Sequence, residues 1–164
     1  MKRSLLLFIL IFSAFLFSCS GEKYGVIPFE SKDASIECTV NEKFDLIISK
    51  TEEGCFLKVK SPSQLEGMVF SFYKSGKTVI ESDGVKIPST KNDLSGIYAM
   101  ASVFDLTEDM MVSAVSEDGN GNLRFQKGND TYTLVYDKHG FIRQVKVESP
   151  LYEYDISVHS IKVG

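Results

Sequence analysis

The chain has no surplus of basic residues. Its 18 Lys and Arg stand against 22 Asp and Glu, a net charge of −4. An acidic chain repels the phosphate backbone of nucleic acids. No basic stripe with interleaved aromatics offsets that repulsion, so nucleic acid is excluded as a partner. Histidine is scarce, at two residues, and cysteine stops at three. These few residues form no zinc-site spacing. No apolar run reaches the roughly 20 residues of a comfortable membrane span. The longest, Leu5 to Phe17, is apolar apart from Ser13. There is no internal repeat and no low-complexity tract.

What is there begins with Lys2 and Arg3, a basic start to that short apolar run. The layout fits the n- and h-regions of a secretory signal. The run closes on Leu16-Phe17-Ser18-Cys19, which resembles a lipobox, the signal of bacterial lipoproteins. It has an aliphatic residue at minus three, a small one at minus one, then Cys. Phe17 is bulkier than usual at minus two. The resemblance implies that the Cys19 thiol receives a diacylglyceryl group and that a peptidase cuts before it. Residues 1–18 are then the signal peptide, and residues 19–33 the lipidated cysteine and a tether. Two acyl chains suffice for stable anchoring. Losing Lys2 and Arg3 leaves 16 basic residues against 22 acidic ones, a net charge of −6. About 145 residues remain, one domain by the usual size range, expected over 34–164.

From Ala34 onward the pattern alternates with a period of two, the mark of half-buried strands. Ile36, Cys38 and Val40 share one face. Turns are expected at Asn41-Glu42-Lys43, Glu52-Glu53-Gly54, Ser75-Gly76, Asp83-Gly84, Gly128-Asn129-Asp130 and Asp137 to Gly140. Met68, Phe70 and Phe72 lie on one side of their strand. Val26 to Phe29 reads as an edge segment. One stretch breaks the alternation. Leu94 to Leu106 carries Leu94, Ile97, Tyr98, Ala101 and Phe104 at helical spacing, with Thr90 or Asp93 as its cap. Met100 and Val103 widen its apolar surface, so the helix is expected to be buried.

The fold class is therefore mainly β: about ten short antiparallel strands in a meander, with one hydrophobic helix. A sheet of that length must curl or split. A strongly curved sheet, a half-open barrel with the helix on its concave face, satisfies both features. An orthogonal sandwich is the alternative.

The motifs that carry chemistry elsewhere fail here. Asp118, Asn120 and Asn122 alternate as in the first half of a calcium loop, but Leu123 stands where Gly is needed and Asn129 where Glu is needed. The stretch reads as a hairpin turn. Cys38 and Cys55 fall on strands that flank a third. That places them roughly 9 to 10 Å apart, beyond the ~7 Å reach of a disulfide, so buried free thiols are expected. His159 shares a strand face with Glu153, Asp155 and Ser157, which makes a solvated row and no triad. His139 sits in a turn. No catalytic residue, metal ligand or cofactor site is legible, and the chain reads as non-enzymatic.

A lipobox followed by a strand meander, "SPSQLEGMVFSF" before a hydrophobic helix, and "YDKHGFIRQVKV" before a long last strand form a familiar layout. It resembles small extracytoplasmic lipoproteins of the LolA/LolB-like carrier fold, over most of the chain from about Tyr24. Two features depart from that family: a single clear helix, and no amphipathic helix at the mature N-terminus. The resemblance implies a curved sheet whose hollow holds an acyl chain or another hydrophobic ligand. Met68, Phe70, Phe72, Ile80, Ile97, Met100 and Phe104 are the candidate contacts, large flexible side chains of the apolar face. The expected protein is anchored by Cys19 on the extracytoplasmic face of the cell membrane. The alternative is a cell-envelope interaction or assembly module whose helix fills its own core and whose partner is another envelope protein.

Overall fold

The computed structural model describes residues 33–117 and 120–164. The expected signal peptide, Cys19, all but the last residue of the expected tether, and the expected Val26 to Phe29 edge segment lie outside the described residues. Eleven strands form one antiparallel sheet: β1 (Ala34–Val40), β2 (Phe44–Lys50), β3 (Gly54–Ser61), β4 (Val69–Tyr73), β5 (Thr78–Ser82), β6 (Val85–Ser89), β7 (Met111–Glu117), β8 (Asn120–Lys127), β9 (Asp130–Tyr136), β10 (Ile142–Glu148) and β11 (Glu153–Val163). Among the described residues one α-helix, α1 (Ser95–Ala101), separates β6 from β7. All eleven strands belong to one continuous sheet, where the sandwich alternative needs two packed sheets. No helix among the described residues is long and apolar enough to cross a membrane.

The strands form where alternation predicts them. Along β1 the buried residues are Ala34, Ile36, Cys38 and Val40, each flanked by a half-exposed polar neighbour. Tight turns set the register. Asp83 and Gly84 both take positive φ between the paired Ser82 and Val85, the geometry of a two-residue hairpin. Asn41 and Glu42 do the same after β1, and Lys43 N–H closes on Val40 O at 3.0 Å. In the Asp137 to Gly140 turn one carboxylate organises the loop. Asp137 accepts the N–H groups of His139 at 2.9 Å and Phe141 at 3.0 Å, and Arg143 Nε at 2.8 Å.

The order of the strands departs from a simple meander. It runs β6-β5-β4-β3-β2-β1-β11-β10-β9-β8-β7. The first and last strands pair in the middle, and each arm then meanders outward to an open edge. The reason is the helical segment. It removes the tight turn that would have kept β6 beside β7, while the long β11 matches the full length of β1.

The helix is also shorter than the apolar spacing predicts. It ends at Ala101, tightens into a 3-10 turn over Ser102–Asp105, and runs extended by Leu106. Its N-cap is Leu94, with no side-chain cap; Thr90 instead accepts the Asp93 N–H at 3.2 Å, one turn earlier. It has no acidic residue in its first turn and no basic one in its last. A seven-residue helix without these supports is unstable alone. Packing holds it: Ala99, Met100, Ala101, Val103 and Phe104 are all buried. Tyr132 of β9 donates its hydroxyl to Ala99 O at 3.1 Å.

Two predictions follow from this architecture. A Cβ on Gly54 would press on the backbone of β4, meeting Phe72 O and lying 2.9 Å from Tyr73 Cα. Gly54→Ala is therefore expected to cost about 1–3 kcal/mol, read as a lower urea midpoint. The backbone N–H of Phe141, then that of His139, then Arg143 hold the Asp137 carboxyl below the usual range. Its stabilisation is complete above about pH 4 and is lost as the pH falls through the folded-state value. Asp137→Asn should flatten the acid limb of a thermal melting series; an unchanged limb would remove this role.

Candidate functional site

An apolar cavity of about 220 Å³ lies between α1 and the sheet. Its walls come from alternate positions on neighbouring strands, which the pleat turns to one face. Leu46 of β2 pairs with Val59 of β3, and Leu57 pairs with Phe70 of β4. Ile97 and Met100, one helical turn apart, form the roof. Phe44 and Leu65 sit at the rim, both more than a third exposed. Asn41 and Tyr154 add the polar atoms of the lining. Burial pushes the Tyr154 hydroxyl above its ordinary range, so it stays a neutral hydrogen-bonding group. Gly96 makes room for it: a Cβ there would strike the Tyr154 hydroxyl.

Of the seven candidate contacts, Phe70, Ile97 and Met100 line this cavity. The other four do not. Phe72 is buried against Tyr98, ring centroids 5.2 Å apart, and Phe104 is buried in the core. Met68 packs on the core from its edge. Ile80, half-buried on β5, pairs with Phe70 but stays off the cavity wall. Val40, Leu46, Leu57 and Val59 also line the cavity, beyond the seven candidates. In sequence they are indistinguishable from the inward residues of any strand.

A second, smaller hollow of about 80 Å³ lies on the other side of α1, where Lys50, Lys74 and Lys91 meet Phe72, Tyr98 and Asp105. The two hollows share no lining residue.

The remaining motifs are placed as follows. Cys38 and Cys55 are buried free thiols on β1 and β3, with β2 between them. His159 is exposed, its Nε2 2.7 Å from Thr39 Oγ1, whose hydroxyl donates to Asp45 Oδ1 at 2.7 Å. That chain lies on an exposed strand face and lines neither hollow. Glu117 pairs with Asn120 across the hairpin of the calcium-like stretch; Asp118 and Gly119 lie outside the described residues.

No protein-family model matches the chain, and no curated protein does. Among solved structures it is similar to an uncharacterized conserved protein from Thermus thermophilus. That likeness has 12% identity and a TM-score of 0.46, over 85% of this chain and 83% of the other. It is also similar to a LolA superfamily protein from Nitrosomonas europaea, at 8% identity and a TM-score of 0.40, over 80% of this chain and 84% of the other.

Burial pushes the Cys38 thiol up to about 12 and the Cys55 thiol up to about 11. Neutral thiols are poor nucleophiles, so iodoacetamide at pH 8 should leave both unlabelled until urea is added, as read by peptide mass spectrometry. Their raised values also set an alkaline limb. The stabilisation is complete below the ordinary thiol value of about 8.5 and is lost as the pH rises through 11 to 12. Rapid native labelling of Cys38 would contradict its burial.

Proposed function

We propose that this chain is a membrane-anchored, extracytoplasmic lipoprotein that binds a hydrophobic ligand in the hollow beneath α1. Cys19 is the anchor, and the site comprises Phe70, Ile97, Met100 and the strand residues facing them. The observation that carries this reading is the cavity of about 220 Å³ with its almost wholly apolar wall. An apolar cavity of about 150 Å³ stays dry and takes up benzene. The mechanism is partition: each methylene buried contributes about 0.8 kcal/mol. The uncapped α1 is the lid, its displacement opening the cavity for longer chains.

The reading includes a wrapped sheet, concave toward the helix. Eleven strands laid flat would span about 48 Å, while a helix is only ~10–12 Å across. Yet one buried cluster draws on β1 to β4 and on β8 to β11. Adjacent residues of α1 touch both arms: Tyr98 packs on Phe72 of β4, and Ala99 O accepts from Tyr132 of β9. Both facts support curling.

The second reading, an envelope interaction module, rests on the sheet edges. Val85 and Ile87 on β6 are 60% and 52% exposed, and Val112 on β7 is 62% exposed. Apolar open edges accept added strands.

Native extraction of the chain lacking residues 1–19, followed by lipid mass spectrometry and fluorescent fatty-acid exchange, separates the two. Stoichiometric lipid, lost in folded Phe70→Asp and Met100→Glu variants, is the expected result. An empty protein that takes up no probe would end the ligand reading and leave the edges as the working surface.

A further inference from the structure

The hollow against Tyr98, unlike the apolar cavity, is lined in part by charged residues. It gathers Lys50 at the end of β2, Lys74 just past β4, and Lys91 from the segment before the helix. Asp105 is the one carboxylate in its lining, and Lys127 already matches that charge at 3.2 Å. Among the described residues, Lys74 and Lys91 pair with no carboxylate. The exposed Glu52 and Glu53 of the adjoining turn do not line the hollow. Lys50 Nζ donates to Phe104 O at 3.5 Å, and the three lysines together line one small concavity in a chain of net charge −4. Like charges held together repel, and an anion between them relieves the repulsion.

The neutral groups fit the same ligand. Thr51 Oγ1 accepts the Glu53 N–H at 3.1 Å, and Tyr98 Oη accepts Lys91 Nζ at 3.3 Å. Each hydroxyl keeps its own proton to donate. Lys91 Nζ is also poised 4.5 Å from the Tyr98 ring centroid, which holds it at the mouth. Among the lining residues the donor-bearing side chains outnumber the one carboxylate, which suits an acceptor-only group. The volume of about 80 Å³ equals roughly two to three waters, room for a tetrahedral oxyanion.

We infer that Lys50, Lys74 and Lys91, with the hydroxyls of Thr51 and Tyr98, form a binding site for a phosphate group. The ligand is either free phosphate or the phosphomonoester headgroup of a lipid. This site stands independently of the apolar cavity, because no lining residue is common to both.

The test is lysine footprinting on the full chain in nonionic detergent. Acetic anhydride at pH 8 modifies each amine, and mass spectrometry reads the rate at every lysine. Inorganic phosphate should slow acetylation of Lys74 and Lys91 by about tenfold relative to chloride at matched ionic strength. The exposed Lys58 and Lys146 are internal controls, expected to change by less than about twofold. Binding seen by ³¹P line broadening should vanish in the Lys74→Ala/Lys91→Ala variant and persist in Lys58→Ala/Lys146→Ala. Dihexanoyl phosphatidic acid protecting at a concentration about tenfold below inorganic phosphate assigns a lipid headgroup; equal concentrations assign free phosphate. Uniform slowing at all lysines, or equal protection by dihexanoyl phosphatidylcholine, would overturn the site. Loss of lipid from the apolar cavity would leave these readouts untouched.

Discussion

Seven residue pairs hold β1 against β11, from Ala34 opposite Val163 to Val40 opposite Ile156. Most of the architecture depends on that ladder. Each of the two strands has a hairpin neighbour on its other side, so the arms can only grow outward. The middle of the chain is then left with an impossible tight turn. The segment after β6 has to travel to the far edge, and the face of the sheet is its path. Burial makes that path favourable: Met100, Val103 and Phe104 replace water over strands that would otherwise expose their apolar side.

A helix in this position divides the interior. Ile97 and Met100 lie one turn apart and face the apolar cavity, while Tyr98, rotated away from them, faces the lysines. The one short helix therefore contributes side chains to both hollows. Because α1 has neither cap nor helix-dipole support, its order comes from the sheet, through the Tyr132 hydroxyl and the Phe72 ring. An element held only by its contacts responds when those contacts change.

The hairpins were legible because their signals are local. Asp83-Gly84 sits where two positive φ angles are needed, and the inward set Ile36, Cys38 and Val40 is spaced by the pleat. The free state of Cys38 and Cys55 was legible for the same reason, since strand spacing alone separates them. The helix was legible as apolar surface, though its end was not. Ser102 to Asp105 keep helical spacing, but tertiary packing tightens them into a 3-10 turn. Phe72 and Phe104 resemble Phe70 in sequence and differ from it only in what covers them.

Alternation, turn chemistry and one helical spacing determined a mainly β chain with a buried helix, because each is a relation between residues a few positions apart. The same local reading marked Cys19 at the edge of an apolar run. The tertiary structure decided the rest. Whether β6 meets β7 or β1 meets β11 turns on which long-range ladder forms, and no local pattern encodes that choice. Whether an inward Leu57 touches a helix or a cavity depends on how far the crossing segment reaches. Lys50, Lys74 and Lys91 are scattered singly along the chain and become one charged hollow only when β2, β4 and the helix approach are brought together.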